Sequence, residues 1–191
     1  MVEVVNRNCK GVFTIELAMI LIFISSVFAL QANYLVSLSR KSALDRASYS
    51  AVSIVSERKQ LYSDEGGLCE SNGIVSKCPN DIDTLFSIVS STLTRTISNF
   101  DEAELGFVVE EYIPLNNTFQ FTRKSRGDVN GCNFPSLAQG ETMSLSPITS
   151  KNRKLPLYQV SICYHTSFNV IGATELTPFH LVSSSFSFAR F

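Results

Sequence analysis

Charge is what the start of this chain lacks. From Val12 to Leu30 the only charged residue is Glu16, and a run that apolar does not suit the surface of a water-soluble domain. Helix breakers are missing over a longer stretch: no glycine or proline falls between Gly11 and Gly66, so nothing local stops a helix from running through. The whole chain lacks a charge excess of either sign, with 16 Lys and Arg against 17 Asp and Glu and a net charge of −1. Nucleic-acid binders carry basic patches or a high pI. The one short cluster here, Lys151-Asn152-Arg153-Lys154, lies between Pro147 and Pro156 and reads as a solvated loop, so no nucleic-acid partner is expected. Histidines number two. Neither His165 nor His180 stands at a readable spacing from an acid or a nucleophile, and no phosphate-binding glycine loop or metal motif is present. We expect no enzyme, no cofactor and no metal.

What is there begins with the apolar run itself. As a helix, Val12 to Leu30 reaches about 28 Å at 1.5 Å per residue, close to the ~30 Å hydrocarbon core of a bilayer. Before it, Arg7 and Lys10 oppose Glu3, and well after it come Arg40 and Lys41, so the positive-inside rule is nearly balanced. The shortness of the N-terminal segment, with its own amine, favours a cytoplasmic N-terminus and an external remainder. A secretory signal peptide fits poorly, because its apolar region is about 7–15 residues long and ends at a small-residue cleavage site. This one is longer, contains Glu16 and continues through Gln31-Ala32-Asn33-Tyr34. Lipoprotein acylation fails on order, since Cys9 precedes the run. A carboxylate inside the membrane costs about 2.5–3.5 kcal/mol on insertion scales, which marks Glu16 as a functional residue.

Lys10-Gly11, then Val12-Phe13-Thr14-Ile15-Glu16, then an unbroken apolar helix: this junction resembles the class III signal peptide of the type IV pilin superfamily. Leu44-Asp45-Arg46-Ala47-Ser48-Tyr49-Ser50 with Glu57-Arg58 resembles the TadF-like minor pilins, or pseudopilins, of the tight-adherence (Tad/Flp) pilus system. The resemblance covers roughly residues 10–62. It implies that a prepilin peptidase cuts after Gly11, that Val12 becomes the new N-terminus, and that Glu16 pairs with the free amine of a neighbouring subunit during assembly. It further implies as partners other minor and major pilins, assembly platform proteins of the bacterial inner membrane, and membrane lipid. Adherence and biofilm formation would belong to the assembled pilus. Glu16 is followed by Leu17 where major pilins of these systems carry Tyr, and the distal region is large, which favours a minor pilin over the main fibre subunit. Two readings compete with this one: an uncleaved single-pass protein whose external domain binds a partner, and a minor pseudopilin of type II secretion.

Three parts follow: residues 1–11 as leader, 12–62 as one helix (12–30 transmembrane, 31–62 projecting), and 63–191 as a periplasmic domain. In the projecting half, Leu44, Ala47, Ala51, Ile54 and Leu61 recur at three- and four-residue steps, an amphipathic stripe. Asn80 or Asp81 can cap a second helix whose Ile82, Leu85, Phe86, Val89, Leu93 and Ile97 share one face. Strands are expected at Gly106–Ile113, Thr118–Thr122, Leu157–His165 and Leu181–Ala189, where β-branched and aromatic residues dominate, with a turn at Asn116-Asn117. Phe186, Phe188 and Phe191 read as core aromatics of the last strand. Ser125 to Lys154 reads as a long loop. The fold class is α+β and pilin-like: a long N-terminal helix leading into a small domain with a second helix and an antiparallel sheet. Once Cys9 leaves with the leader, Cys69, Cys78, Cys132 and Cys163 remain, an even number on the oxidising side of the membrane. Of the three connectivities, Cys69–Cys78 with Cys132–Cys163 is favoured because the first pair brackets a short, turn-rich loop.

Overall fold

A computed structural model describes residues 9–62, 79–115, 118–138, 146–150, 154–166 and 179–189. The helix expected from Val12 runs as α1 from Cys9 to Tyr62, 54 residues, or about 80 Å at 1.5 Å per residue. It begins ahead of Lys10-Gly11, since one glycine costs a helix only about 1 kcal/mol. A second helix, α2 (Pro79–Thr96), opens on proline, a residue suited to a first helical turn because its missing N–H has no partner there anyway; Asn80 and Asp81, expected as caps, therefore lie inside its first turn. A 3-10 turn, Glu102–Glu104, leads into β1 (Leu105–Leu115), followed by β2 (Thr118–Gly127), β3 (Leu157–Thr166) and β4 (Phe179–Phe188). The sheet order is β2-β1-β3-β4, and every neighbouring pair is antiparallel. The architecture is α+β, as the pattern predicts.

Alternation decides what each face of the sheet does. On β3, Tyr158, Val160, Ile162 and Tyr164 point one way and Gln159, Ser161, Cys163 and His165 the other. The first set joins Leu105, Phe107, Val109 and Leu181 beneath the helices. There α1 lies over β3 and β4, and α2 over β1 and β2. α2 buries Ile82, Leu85, Phe86, Val89 and Leu93, with Ile97 just beyond its end, and the Phe86 ring meets Phe107 edge-on at 6.3 Å. Each such side chain fully removed from water contributes about 1.5–3 kcal/mol. In α1 the buried apolar positions are Ala43, Leu44, Ala47, Ala51, Val52 and Val55. Ile54, expected in that stripe, instead stands on the shoulder of a groove between α1 and α2, shared with Ile88 and Thr92. Steps of three and four from Leu44 do reach 54, but at 3.6 residues per turn that position lies about 80° round the helix from Leu44, on the edge of the buried face.

The seam between α1 and β4 is polar. Ser48, fully buried, shares hydrogen bonds with Ser183 (3.1 Å) and Ser185 (2.8 Å), and Ser183 donates to Asp45. Lys41 reaches the Val182 carbonyl at 2.7 Å and Asp45 at 2.8 Å, while Arg40 donates to Thr166 Oγ1 at 2.6 Å. Burial pushes the Asp45 carboxyl up, but hydrogen bonds from Lys41 and Ser183 and the Lys41 charge outweigh it and hold the group below its ordinary value.

Two expectations need correcting. β2 continues through Ser125-Arg126-Gly127, five residues beyond its expected end, because β1 offers backbone partners as far as Gly106↔Gly127 and Arg126 pairs with Asp83 of α2 at 3.1 Å. At Gly127 the chain turns away with φ +76°, and a Cβ there would lie 2.0 Å from the Leu105 carbonyl oxygen, so only glycine closes this strand. The terminal phenylalanines are not all core. Phe186 is 54% exposed on the outer face, whereas Phe188 packs with Tyr112, Leu137 and Leu157 in a small second cluster. Phe191 and the Asn116-Asn117 turn lie outside the described residues.

Candidate functional site

Two places bear on function, at opposite ends of the molecule. The first is the start of α1. Lys10, Gly11 and Val12 lie in its first turns, and Glu16 follows Val12 by four residues, hence on the same helix face about 6 Å along the axis. Around Glu16 the apolar side chains face outward: Phe13, Ile15, Met19, Ile20, Ile22 and Phe23 are all exposed. This helix is long and apolar enough to cross a membrane. A contiguous surface of that kind demands a cover of lipid or protein, and the rest of the described chain supplies none.

The second place is the outer face of the sheet, where residues 128–138 cross β1 and β3. This segment satisfies polar groups that the strands would otherwise bury alone. Glu110 Oε2 accepts from the Leu137 N–H at 2.7 Å, and its Oε1 stands 3.3 Å from Arg123, an ion pair without hydrogen-bond alignment. Gln159 donates to the Pro135 carbonyl at 2.6 Å. The expected Cys132–Cys163 disulfide ties the segment to β3 across 31 residues. By the chain-entropy account a loop of that size is worth about 3–4 kcal/mol. Cys69 and Cys78, the other expected pair, lie outside the described residues.

Beside that disulfide the structure assembles a group of residues that sequence reasoning leaves apart. His165 and His180 face each other in the β3–β4 register, with their rings perpendicular and 4.3 Å between centroids. His165 Nδ1 lies 3.1 Å from Glu104 and 3.5 Å from Asp128. Its Nε2 lies 3.5 Å from Cys132 Sγ. Local chemistry places each member. Asp101 caps the 3-10 turn by accepting from Ala103 N–H at 3.0 Å, which presents Glu104. Asp128 accepts from the Asn130 backbone and side chain at 3.0 and 2.8 Å, an Asx turn that bends the chain back toward β3. The bond from the Asn130 backbone N–H leads, burial opposes it, and the adjoining imidazoles and the Asn130 side chain add to it, so the Asp128 carboxyl is held below its ordinary value. Gly131 follows with φ +70°; a Cβ there would stand 3.0 Å from His180 Cε1 and Nε2.

A family model, TadF, described as "Putative tight adherence pilin protein F", matches residues 5–190. No curated protein and no solved structure matches significantly.

Proposed function

We propose a function from one premise: the chain belongs to the TadF family. It is a minor pilin of a tight-adherence pilus, a subunit that helps build the fibre and is not its bulk material. The observation that carries this reading is the bare apolar start of α1, which continues without a break into a helix packed on its own sheet. One surface then serves two surroundings in turn, lipid before assembly and the helices of other pilins after it.

In this reading residues 1–11 are a leader that a prepilin peptidase removes after Gly11, on the cytoplasmic side of the bacterial inner membrane. Residues 12–30 span the bilayer, 31–62 project, and 63–191 form the periplasmic domain, a compartment where Cys132 and Cys163 are free to oxidise. Cleavage creates an amine at Val12. Glu16 of one subunit and that amine of another are each costly alone in hydrocarbon and attract strongly at short range, and breaking such a buried pair costs about 3–5 kcal/mol. Register between subunits follows from that pairing. Minor and major pilins and the inner-membrane assembly platform are the partners, and the role requires no catalytic residue or cofactor.

Mass spectrometry of the N-terminus in cells with and without the prepilin peptidase tests the processing step. A chain beginning at Val12 only when the peptidase is present is expected; retention of Met1 to Gly11 in its presence overturns the reading. Glu16→Ala should be cleaved and inserted yet absent from pili and assembly complexes, and normal incorporation would remove Glu16 from the mechanism.

A further inference from the structure

The proposed function makes no use of the cluster at the outer face, whose geometry is that of a ligand set. One ring nitrogen each from His165 and His180 and the Cys132 sulfur lie within 4.8 Å of one another. On a tetrahedral zinc ion, with Zn–S near 2.3 Å and Zn–N near 2.0–2.1 Å, sulfur and nitrogen stand about 3.5 Å apart. Cys132 Sγ and His165 Nε2 are separated by 3.5 Å. The far side of His165 is braced as metal-bound histidines are: Nδ1 faces the carboxylates of Glu104 and Asp128, acceptors that keep the proton on Nδ1 and turn the Nε2 lone pair toward the sulfur. A disulfide sulfur has no hydrogen to offer that lone pair. A metal ion would satisfy that lone pair and, once the disulfide is reduced, a Cys132 thiolate as well. His180 Nε2 is buried with no hydrogen-bond partner among the described residues, an arrangement native structures rarely leave unexplained, and Gly131 keeps the space beside it clear of a side chain.

We propose that the thiol form of this chain binds one divalent transition-metal ion of the zinc class through Cys132, His165 and His180, and that metal and disulfide are alternative clips on the same loop. The oxidised chain enters the thiol state when a phosphine or dithiol reductant delivers two electrons to the Cys132–Cys163 bond and is itself oxidised to the phosphine oxide or a disulfide. Each sulfur then takes up a proton, and metal binding displaces the one on Cys132. Either clip pins residues 128–138 against β3 and β4, so the loop is held before oxidation as well as after it. The inference is independent of whether the chain enters a fibre.

The test uses the tag-free full chain in detergent, with Cys9, Cys69 and Cys78 changed to Ser so that two thiols remain. After reduction with a phosphine, which leaves as its oxide with oxygen from water, the chain is titrated with Co(II) alone and then with Zn(II). One Co(II) per chain is expected, with a thiolate-to-metal charge-transfer band that stoichiometric Zn(II) abolishes; the disulfide form should show no such band. His180→Ala breaks no hydrogen bond recorded for Nε2, so its fold is retained by circular dichroism, and its Co(II) affinity should fall more than about tenfold. Glu104→Gln and Asp128→Asn should each weaken binding about tenfold, the low end for groups that orient a ligand. Absence of the band in a reduced, folded chain overturns the proposal. So does equal affinity in the disulfide form, or unchanged affinity in His180→Ala.

Discussion

Between Phe13 and Leu30, α1 turns its apolar side chains outward, Ile22 and Phe23 each 69% exposed; between Ala43 and Val55 the same helix buries Leu44 and Val52 completely. No break in the helix, proline or glycine separates the two regions. The difference lies in what each side chain meets. Leu44 rests on a sheet built by the same chain, so its burial belongs to folding, whereas Phe23 is not covered by any of the described residues beyond its own helix, and its burial calls for another molecule. If the proposed function holds, stability and assembly are written on successive lengths of one helix, and substitutions should separate them.

The sharpest separation sets Leu44→Ala against Phe23→Ala. Emptying a fully buried leucine site costs about 2–5 kcal/mol, and the urea midpoint of the detergent-solubilised chain, followed by near-ultraviolet circular dichroism of the tyrosines, should fall accordingly. Phe23→Ala should leave that midpoint where it is. A comparable loss in Phe23→Ala would mean that the exposed half also stabilises the domain, and the division would fail. Next in size is Cys132→Ala, made with Cys9, Cys69 and Cys78 already changed to Ser. Opening the link across 31 residues should cost about 3–4 kcal/mol, and adding a reductant should lower the midpoint of the parent chain that keeps Cys132 while leaving the variant unmoved.

Legibility in the sequence follows the range of the interaction. The contact face of α2 is readable because the period of 3.6 is local: Ile82, Leu85, Phe86, Val89, Leu93 and Ile97 are all buried. The end of β2 is not, because Ser125-Arg126-Gly127 look like loop until β1 lies alongside them. Ile54 sits at a permitted helical step yet outside the contact, since the axis of packing is set by where β3, β4 and α2 lie. The histidine cluster was least accessible. Its members come from four segments, and His180 falls one residue before the expected start of the last strand. A connection of uncertain length leaves the register of β3 on β4 undetermined, so nothing local says that His165 faces His180. The start of α1 is the opposite case: Lys10-Gly11 and Glu16 are legible as a motif, and folding adds to them only the exposure of the surrounding side chains.

Smaller effects probe how the packed half of α1 is fastened. Ser48→Ala deletes the hydroxyl that joins Ser183 and Ser185. Ser183 keeps Asp45, so the expected loss is about 1 kcal/mol, the net worth of an ordinary hydrogen bond. The same substitution at Ser26, whose hydroxyl bonds only to the Phe23 carbonyl of its own helix at 2.8 Å, should not move the midpoint.

Asp45 gives the smallest effect and the one with a sign to work out. Its carboxyl is held below the ordinary value of 3.8, so the folded state binds that proton less readily than the unfolded chain does. The resulting stabilisation is fully present above the unfolded pKa and disappears as pH falls through the lower folded value. Half of the side chain is exposed, and solvent screening keeps the contribution of such a pair under about 1 kcal/mol. Asp45→Asn should therefore sit slightly below wild type at neutral pH, and the two midpoints should converge as the solution is acidified below pH 3.8. A gap that persists undiminished in acid would assign the role of Asp45 to hydrogen bonding with Ser183, which a neutral amide or a protonated acid can also accept, and would take charge out of the seam between α1 and β4.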